Sequence, residues 1–203
     1  MTRSPGWPAV LREGDVVLRP FRMRDGAAWS ESRLANEEWL APWEPPGGGS
    51  YVERNSAASY GAMVRALRRR AREGTQLAFA IWWQDRFAGQ LTVGNIVRGA
   101  LHGAHLGYWV DGRYAGRGIC PTAVALAVDH CFGPVGLHRV EANVRPENVA
   151  SRRVVDKLGF RVEGTRLRYL YIDGAYRDHV SYALTTEDVP GGLVNRWRDI
   201  RAR

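Results

Sequence analysis

The residues most suited to chemistry form a short run, Arg113-Tyr114-Ala115-Gly116-Arg117-Gly118-Ile119, in which two glycines one residue apart stand between an aromatic stretch and a long apolar one. Amides free of side-chain bulk at a helix start hold an anion, because the unpaired N–H groups and the positive end of the helix dipole point the same way. Arg113 and Arg117 add charge. The same glycines also suit a plain strand-to-helix turn, and the pattern by itself leaves both readings open. A Walker A loop is excluded, since GxxxxGK[ST] occurs nowhere in the chain. A dinucleotide fingerprint fails twice: Pro121 takes the third glycine's place, and Glu141 sits within the next strand instead of at its C-terminal end.

Covalent and metal chemistry find less support. Cys120 and Cys131 lie eleven residues apart in one predicted helix, too far along its axis for a disulfide, and read as packing residues. No His–acid pair is placed by sequence to activate Cys120. The five histidines make no CxxC, HExxH or finger spacing, so no metal is expected.

These residues need a frame. The 203 residues, 45% hydrophobic and 25% charged, suit one globular domain. No uncharged apolar run approaches the ~20 residues of a membrane span, and the N-terminus lacks the apolar core of a signal peptide, so a cytoplasmic protein is expected. The net charge of +8 and pI near 10.1 favour anionic partners, whether nucleic acid, ribosome or a phosphorylated cofactor. Arg65, Arg68, Arg69, Arg70 and Arg72 make the densest basic cluster, and the plain reading is the solvated face of a helix.

The patterning predicts a strand over 15–21, then a helix carrying Trp29 and Leu34. A proline- and glycine-rich loop with two tryptophans (36–50) follows, and then a helix over about 52–72. Two strands joined near Asp85 and Arg86, and a third over 105–110, make an antiparallel meander. The helix after Gly118 places Ile119, Ala123, Leu126, Ala127, His130 and Cys131 on one face. Then come a strand (137–144), a short helix stopped by Gly159, and a hairpin turning at Asp173-Gly174 in type I′ geometry. Residues from Thr185 onward read as a strand end and a loose basic tail. The division is an N-terminal arm (1–14), one α/β (α+β) domain (15–186) and a basic tail (187–203).

Three motifs in order carry a resemblance that covers nearly the whole chain: Arg113-x-x-Gly116-x-Gly118 before a helix, Asn148-x-x-Ser151 followed by Lys157-Leu158-Gly159-Phe160, and the segment "YLYIDGAYRDHVSYALT". The chain resembles the Gcn5-related N-acetyltransferase (GNAT) family, and its last segment looks like the hairpin of the RimJ branch, which acetylates N-termini of ribosomal proteins. The resemblance implies a mixed, mostly antiparallel sheet of about seven strands. It implies that strands 105–110 and 137–144 splay apart around the pantetheine of acetyl-CoA. Backbone of Trp109 and Val110 would bond that arm, and the amides around Tyr114, Ala115, Gly116, Arg117, Gly118 and Ile119, with Arg113, would hold the pyrophosphate. Asn148 would bond the pantetheine side and Ser151 would lie near the sulfur; the plain alternatives are a helix N-cap and a surface serine.

The sequence departs from the family where a general base is sought, with Asn143 and Leu170 at the two positions that carry acids in related branches. Glu141, on the same strand face as Asn143, is the nearest remaining acid; its plain alternative is an ion pair with Arg139 or Arg145. Asp178, His179, Tyr169 and His105 stand behind it. The acceptor expected is the N-terminus of a ribosomal or other protein, with Trp39, Trp43, Tyr171 and Tyr176 forming its slot; ribosome contact is expected too, and the protein would be a monomer or homodimer. Two rivals are acetylation of an aminoglycoside or polyamine, which the basic balance disfavours, and an RNA-binding assembly factor.

Overall fold

The computed structural model describes residues 5–202; residues 1–4 of the expected arm and residue 203 of the expected tail lie outside it. Eight strands make one sheet: β1 (Leu11–Glu13), β2 (Val16–Pro20), β3 (Leu77–Trp83), β4 (Arg86–Val97), β5 (Gly103–Val110), β6 (Arg139–Val144), β7 (Arg161–Ile172) and β8 (Ala175–Thr185). Their order is β1-β2-β3-β4-β5-β6-β8-β7. The strand beyond the expected seven is the three-residue β1, inside the N-terminal arm, which pairs antiparallel with β2. Among the described residues only β5 and β6 run parallel. A parallel pair needs a crossover, and the helix after Gly118, α5 (Ile119–Phe132), supplies it. The remaining helices are α1 (Gly26–Ala35), α2 (Glu37–Leu40), α3 (Tyr51–Arg54), α4 (Ala57–Arg72), α6 (Val149–Leu158) and α7 (Leu193–Ala202).

Strand β3 reads Leu-Ala-Phe-Ala-Ile-Trp-Trp without alternation because both its faces are covered. Leu77, Phe79 and Ile81 face the core shared with α5, whereas Ala78 and Ala80 face the smaller cluster of Trp29 from α1 and Tyr60 and Val64 from α4. The helix expected over 52–72 is two, because Ser50 and Ser56 each cap a start and Asn55 ends the first. The tryptophan loop contains α2 and one further turn over 41–43. The β7–β8 turn is as read, with Asp173 and Gly174 both at positive φ.

The loose tail is corrected. Residues 193–202 form α7, with Leu193 and Trp197 buried against α5. Its N-terminal amides, of Leu193 and Val194, donate to the Asp129 carboxylate on α5 at 2.6 and 3.0 Å. This changes the reading of α5 as well. Val124, Ala125 and Val128, off the face read from the sequence, are fully buried, because the helix is covered from two sides.

Candidate active site

The site begins where two neighbouring strands part. Parallel pairing of β5 with β6 runs from Gly103↔Arg139 to Leu106↔Ala142 and stops. Beyond it, Gly107–Val110 stays on β4 while Asn143 and Val144 stay on β8, leaving a wedge between them. Antiparallel strands alternate which residues bond a given neighbour. The Asp111 amide donates to Ala88 on β4, and the Trp109 carbonyl lies so close to Gly89 that a Cβ there would come within 2.2 Å of it. Trp109 therefore spends its backbone groups on β4, and those of Tyr108 and Val110 face the wedge. The Val110 carbonyl accepts from the Trp39 indole at 3.2 Å.

At the wide end of the wedge, β5 passes through a turn at Gly112–Tyr114 into α5. Gly116 and Gly118 have φ of +79° and +77°, the left-handed region that costs other residues about 1 kcal/mol or more. An added Cβ at Gly116 would meet open space, so there the requirement is conformational. Thr122 makes the first intrahelical bond, to the Gly118 carbonyl, which leaves the Ile119 and Cys120 amides free in the first turn. Pro121, which has no N–H, fits that turn without loss. Arg117 is exposed, its guanidinium 5.4 Å from the Trp83 ring centre. Arg113 has a different task. Its guanidinium donates to both oxygens of Asp111, at 2.7 Å to Oδ2, and to Glu31 on α1 at 3.1 Å. Asp111 is fully buried and also accepts from Ser32 at 2.7 Å. Burial opposes its ionisation, but these donors hold its pKa down at about 2. Arg113 thus fixes the turn to α1, and the amides are left to meet an anion.

On the opposite lip, Asn148 caps α6 and its Oδ1 accepts from the Ser151 amide at 3.0 Å. The Ser151 hydroxyl donates to the Tyr108 hydroxyl at 3.0 Å, across the wedge. Burial raises the pKa of that phenol, keeping it a neutral donor and acceptor. Cys120 and Cys131 stay thiols, both pushed up to about 12 by burial.

On β6, Val140, Ala142 and Val144 face α5, so Glu141 and Asn143 face the other side. Glu141 accepts from Arg139 at 2.9 Å and from Arg166 at 3.0 Å, with His105 Nε2 3.5 Å away. The expected ion pair is there with Arg139, but Arg145 turns elsewhere, to the Pro42 carbonyl at 2.8 Å and over the Trp43 ring. Burial lowers the pKa of His105, which leaves the ring neutral near pH 7. Asn143 accepts from Ser181 at 2.7 Å. Asp178 is engaged by the Arg168 amide in a bulge of β7. His179, packed edge-on against Tyr169, is nearly inaccessible. Trp39 and Trp43 lie over the ends of β5 and β6, whereas Tyr171 and Tyr176 pair with each other near the exposed tip of the hairpin.

Tyr108, Asp111 and Arg166 were not legible as site residues, since their partners Ser151, Ser32 and Glu141 lie 43, 79 and 25 residues away in sequence. The Asp two residues before Arg113 was the one available signal. Among the described residues no group of three or more His, Cys, Asp or Glu could hold a metal ion, and no helix is long and apolar enough to cross a membrane.

Comparison with known proteins bears directly on this arrangement. Residues 15–161 match the acetyltransferase (GNAT) domain. The ribosomal protein uS5-alanine N-acetyltransferase of Escherichia coli K12 is 31% identical over 179 residues, 87% of this chain and 91% of that protein. The structure of Mycobacterium smegmatis RimJ in complex with CoA-disulfide superposes with a TM-score of 0.92 at 47% identity, covering 96% of each chain. The spermidine N(1)-acetyltransferase of E. coli K12 is 32% identical, but over only 35% of this chain. The expected mixed, mostly antiparallel sheet and the expected enzyme class both hold: the chain belongs to the GNAT acetyltransferase family.

Proposed function

We propose that the protein transfers the acetyl group of acetyl-CoA to the N-terminal α-amine of a protein, a ribosomal protein in the first instance. The observation that carries this is the wedge between β5 and β6, with left-handed glycines and free amides at one end and the Ser151–Tyr108 pair on its lip. The E. coli relative that spans 87% of the chain is named for acetylating an alanine of ribosomal protein uS5. The spermidine enzyme matches a third of it, so a small-amine acceptor has less support.

In this reading the Arg117, Gly118, Ile119 and Cys120 amides receive the pyrophosphate, and Tyr108 and Val110 offer backbone groups to the pantetheine arm. The Val110 carbonyl does so once it exchanges its indole partner. The acceptor amine attacks the thioester carbon, the C–S bond breaks, and the Ser151 hydroxyl, turned from Tyr108 toward the sulfur, donates a hydrogen bond to the departing thiolate, which takes its proton from solvent. The Asn148 amide, its oxygen already used as a cap, keeps its NH2 for the cofactor. The amine's proton leaves toward the His105–Glu141 pair, the imidazole being neutral and the carboxylate held beside it. A modest base suffices for an N-terminus: its pKa near 8, against about 10.4 for lysine, makes neutralisation about 3 kcal/mol less costly. Trp39 and Trp43 bound the acceptor's entry, and Tyr171 and Tyr176 meet its more distant residues. The exposed arginines of α4 form a basic face suited to the ribosome, and the protein acts in the cytoplasm.

The test is incubation with acetyl-CoA and short peptides beginning with Ala, Ser, Thr or Met, alongside an aminoglycoside, spermidine and free lysine. Acetylation of peptide α-amines in preference to the small amines supports the proposal, and the reverse preference overturns it.

A further inference from the structure

The C-terminal helix, outside the matched domain, reaches the anion cradle through a chain of hydrogen bonds. The Trp197 indole Nε1 donates to the Thr122 hydroxyl at 2.8 Å, and that hydroxyl donates to the Gly118 carbonyl at 2.8 Å. The Thr122 amide adds a second bond to the same carbonyl at 3.1 Å. All of this is dry, with Thr122 1% and Trp197 5% exposed. The indole also stands behind the turn itself, since a Cβ at Gly118 would lie 3.5 Å from its Cζ2.

The Gly118 carbonyl and the Ile119 N–H belong to one peptide unit, which is planar and trans, so they point in opposite directions. Whatever fixes the carbonyl inward fixes the amide outward. A left-handed glycine does not do this alone, because glycine explores φ and ψ more widely than any other residue. Two donors in series also polarise each other, which strengthens both bonds and makes the Ile119 N–H a better donor. The helix carrying the indole is itself secured at three points: Asp129 on its first amides, Arg196 to the Leu158 carbonyl at 3.3 Å and Arg196 to the Asp188 carbonyl.

We infer that Trp197 and Thr122 are positioning residues for the pyrophosphate cradle: the C-terminal helix α7 orients the Gly118–Ile119 peptide toward the anion. This rests on the cradle reading above and assigns α7 a function in cofactor selection.

The experiment compares acetyl-CoA with S-acetylpantetheine, which has the thioester arm and lacks the pyrophosphate. The readout is the ratio of kcat/KM for the two, in wild type, Trp197→Phe, Thr122→Val and Thr122→Ser. Losing one hydrogen bond in the series corresponds to about a fivefold loss in acetyl-CoA use. Trp197→Phe and Thr122→Val are expected to lower the ratio by that factor, through KM for acetyl-CoA, while Thr122→Ser, which keeps the hydroxyl, retains it. Equal losses with both donors, an unchanged ratio in Trp197→Phe and Thr122→Val, or a Thr122→Ser ratio as low as that of Thr122→Val would overturn the inference. A wild-type enzyme without preference for acetyl-CoA would overturn the cradle reading itself, so the two failures are distinguishable.

Discussion

Asp111→Asn is the perturbation whose consequence follows most directly from the structure. The carboxylate is fully buried at the end of β5, where it ties the turn to the Ser32 hydroxyl and to the Arg113 side chain and amide. Its pKa of about 2 lies below the ordinary value of 3.8, and that depression sets the sign. A carboxylate that is more acidic in the folded state adds stability above its unfolded pKa, and the contribution is lost as pH falls toward the folded value. The difference corresponds to about 2 kcal/mol at neutral pH, of which about 1 kcal/mol is lost between pH 6 and pH 3. The assay is urea denaturation of wild type and Asp111→Asn across that range. The other carboxylates titrate alike in both proteins, so the gap between their stabilities isolates Asp111. It should be about 2 kcal/mol or more at pH 6 and narrow on acidification. A gap that stays constant with pH would refute the reasoning, because the Asp111 charge would then contribute nothing.

Further expectations concern the lips of the wedge. Gly118→Ala forces a side chain into the left-handed region without a clash, so it should lower stability by about 1 kcal/mol and weaken acetyl-CoA binding in calorimetry. Ser151→Ala should lower kcat on the order of tenfold with KM for acetyl-CoA within about twofold, whereas Asn148→Ala, which also loses the cap, should lower both affinity and turnover. Because burial places the His105 pKa below its usual 6.5, the acid limb of the pH–rate profile should lie below that value, and His105→Asn should remove it.

How far the sequence disclosed all this follows from the range of each interaction. The glycine turn, the Asn148 cap, the Gly159 stop and the Asp173-Gly174 hairpin depend on residues a few positions apart, and each is where the pattern placed it. The helical tail is hard to read because its large apolar residues, Leu193, Val194, Trp197 and Ile200, are few among arginines and prolong no earlier element. A signal was present elsewhere, in α5, whose apolar residues on every side require a second cover. Arg113 was assigned to the anion by its place in the motif, yet Asp111, two residues before it, claims its guanidinium. Glu141 was found by strand parity, but its partner Arg166 arrives from β7, which no local pattern foretells.

The central claim is transfer to an α-amine through this wedge, and one matched pair of peptides tests it most directly. Both begin with alanine and carry an internal lysine, and in one the N-terminus is blocked by a formyl group. After incubation with acetyl-CoA, fragment masses should place the acetyl group on the free α-amine, with none on the lysine and no acetylation of the blocked peptide. Acetyl-lysine in either peptide at a comparable rate would contradict it.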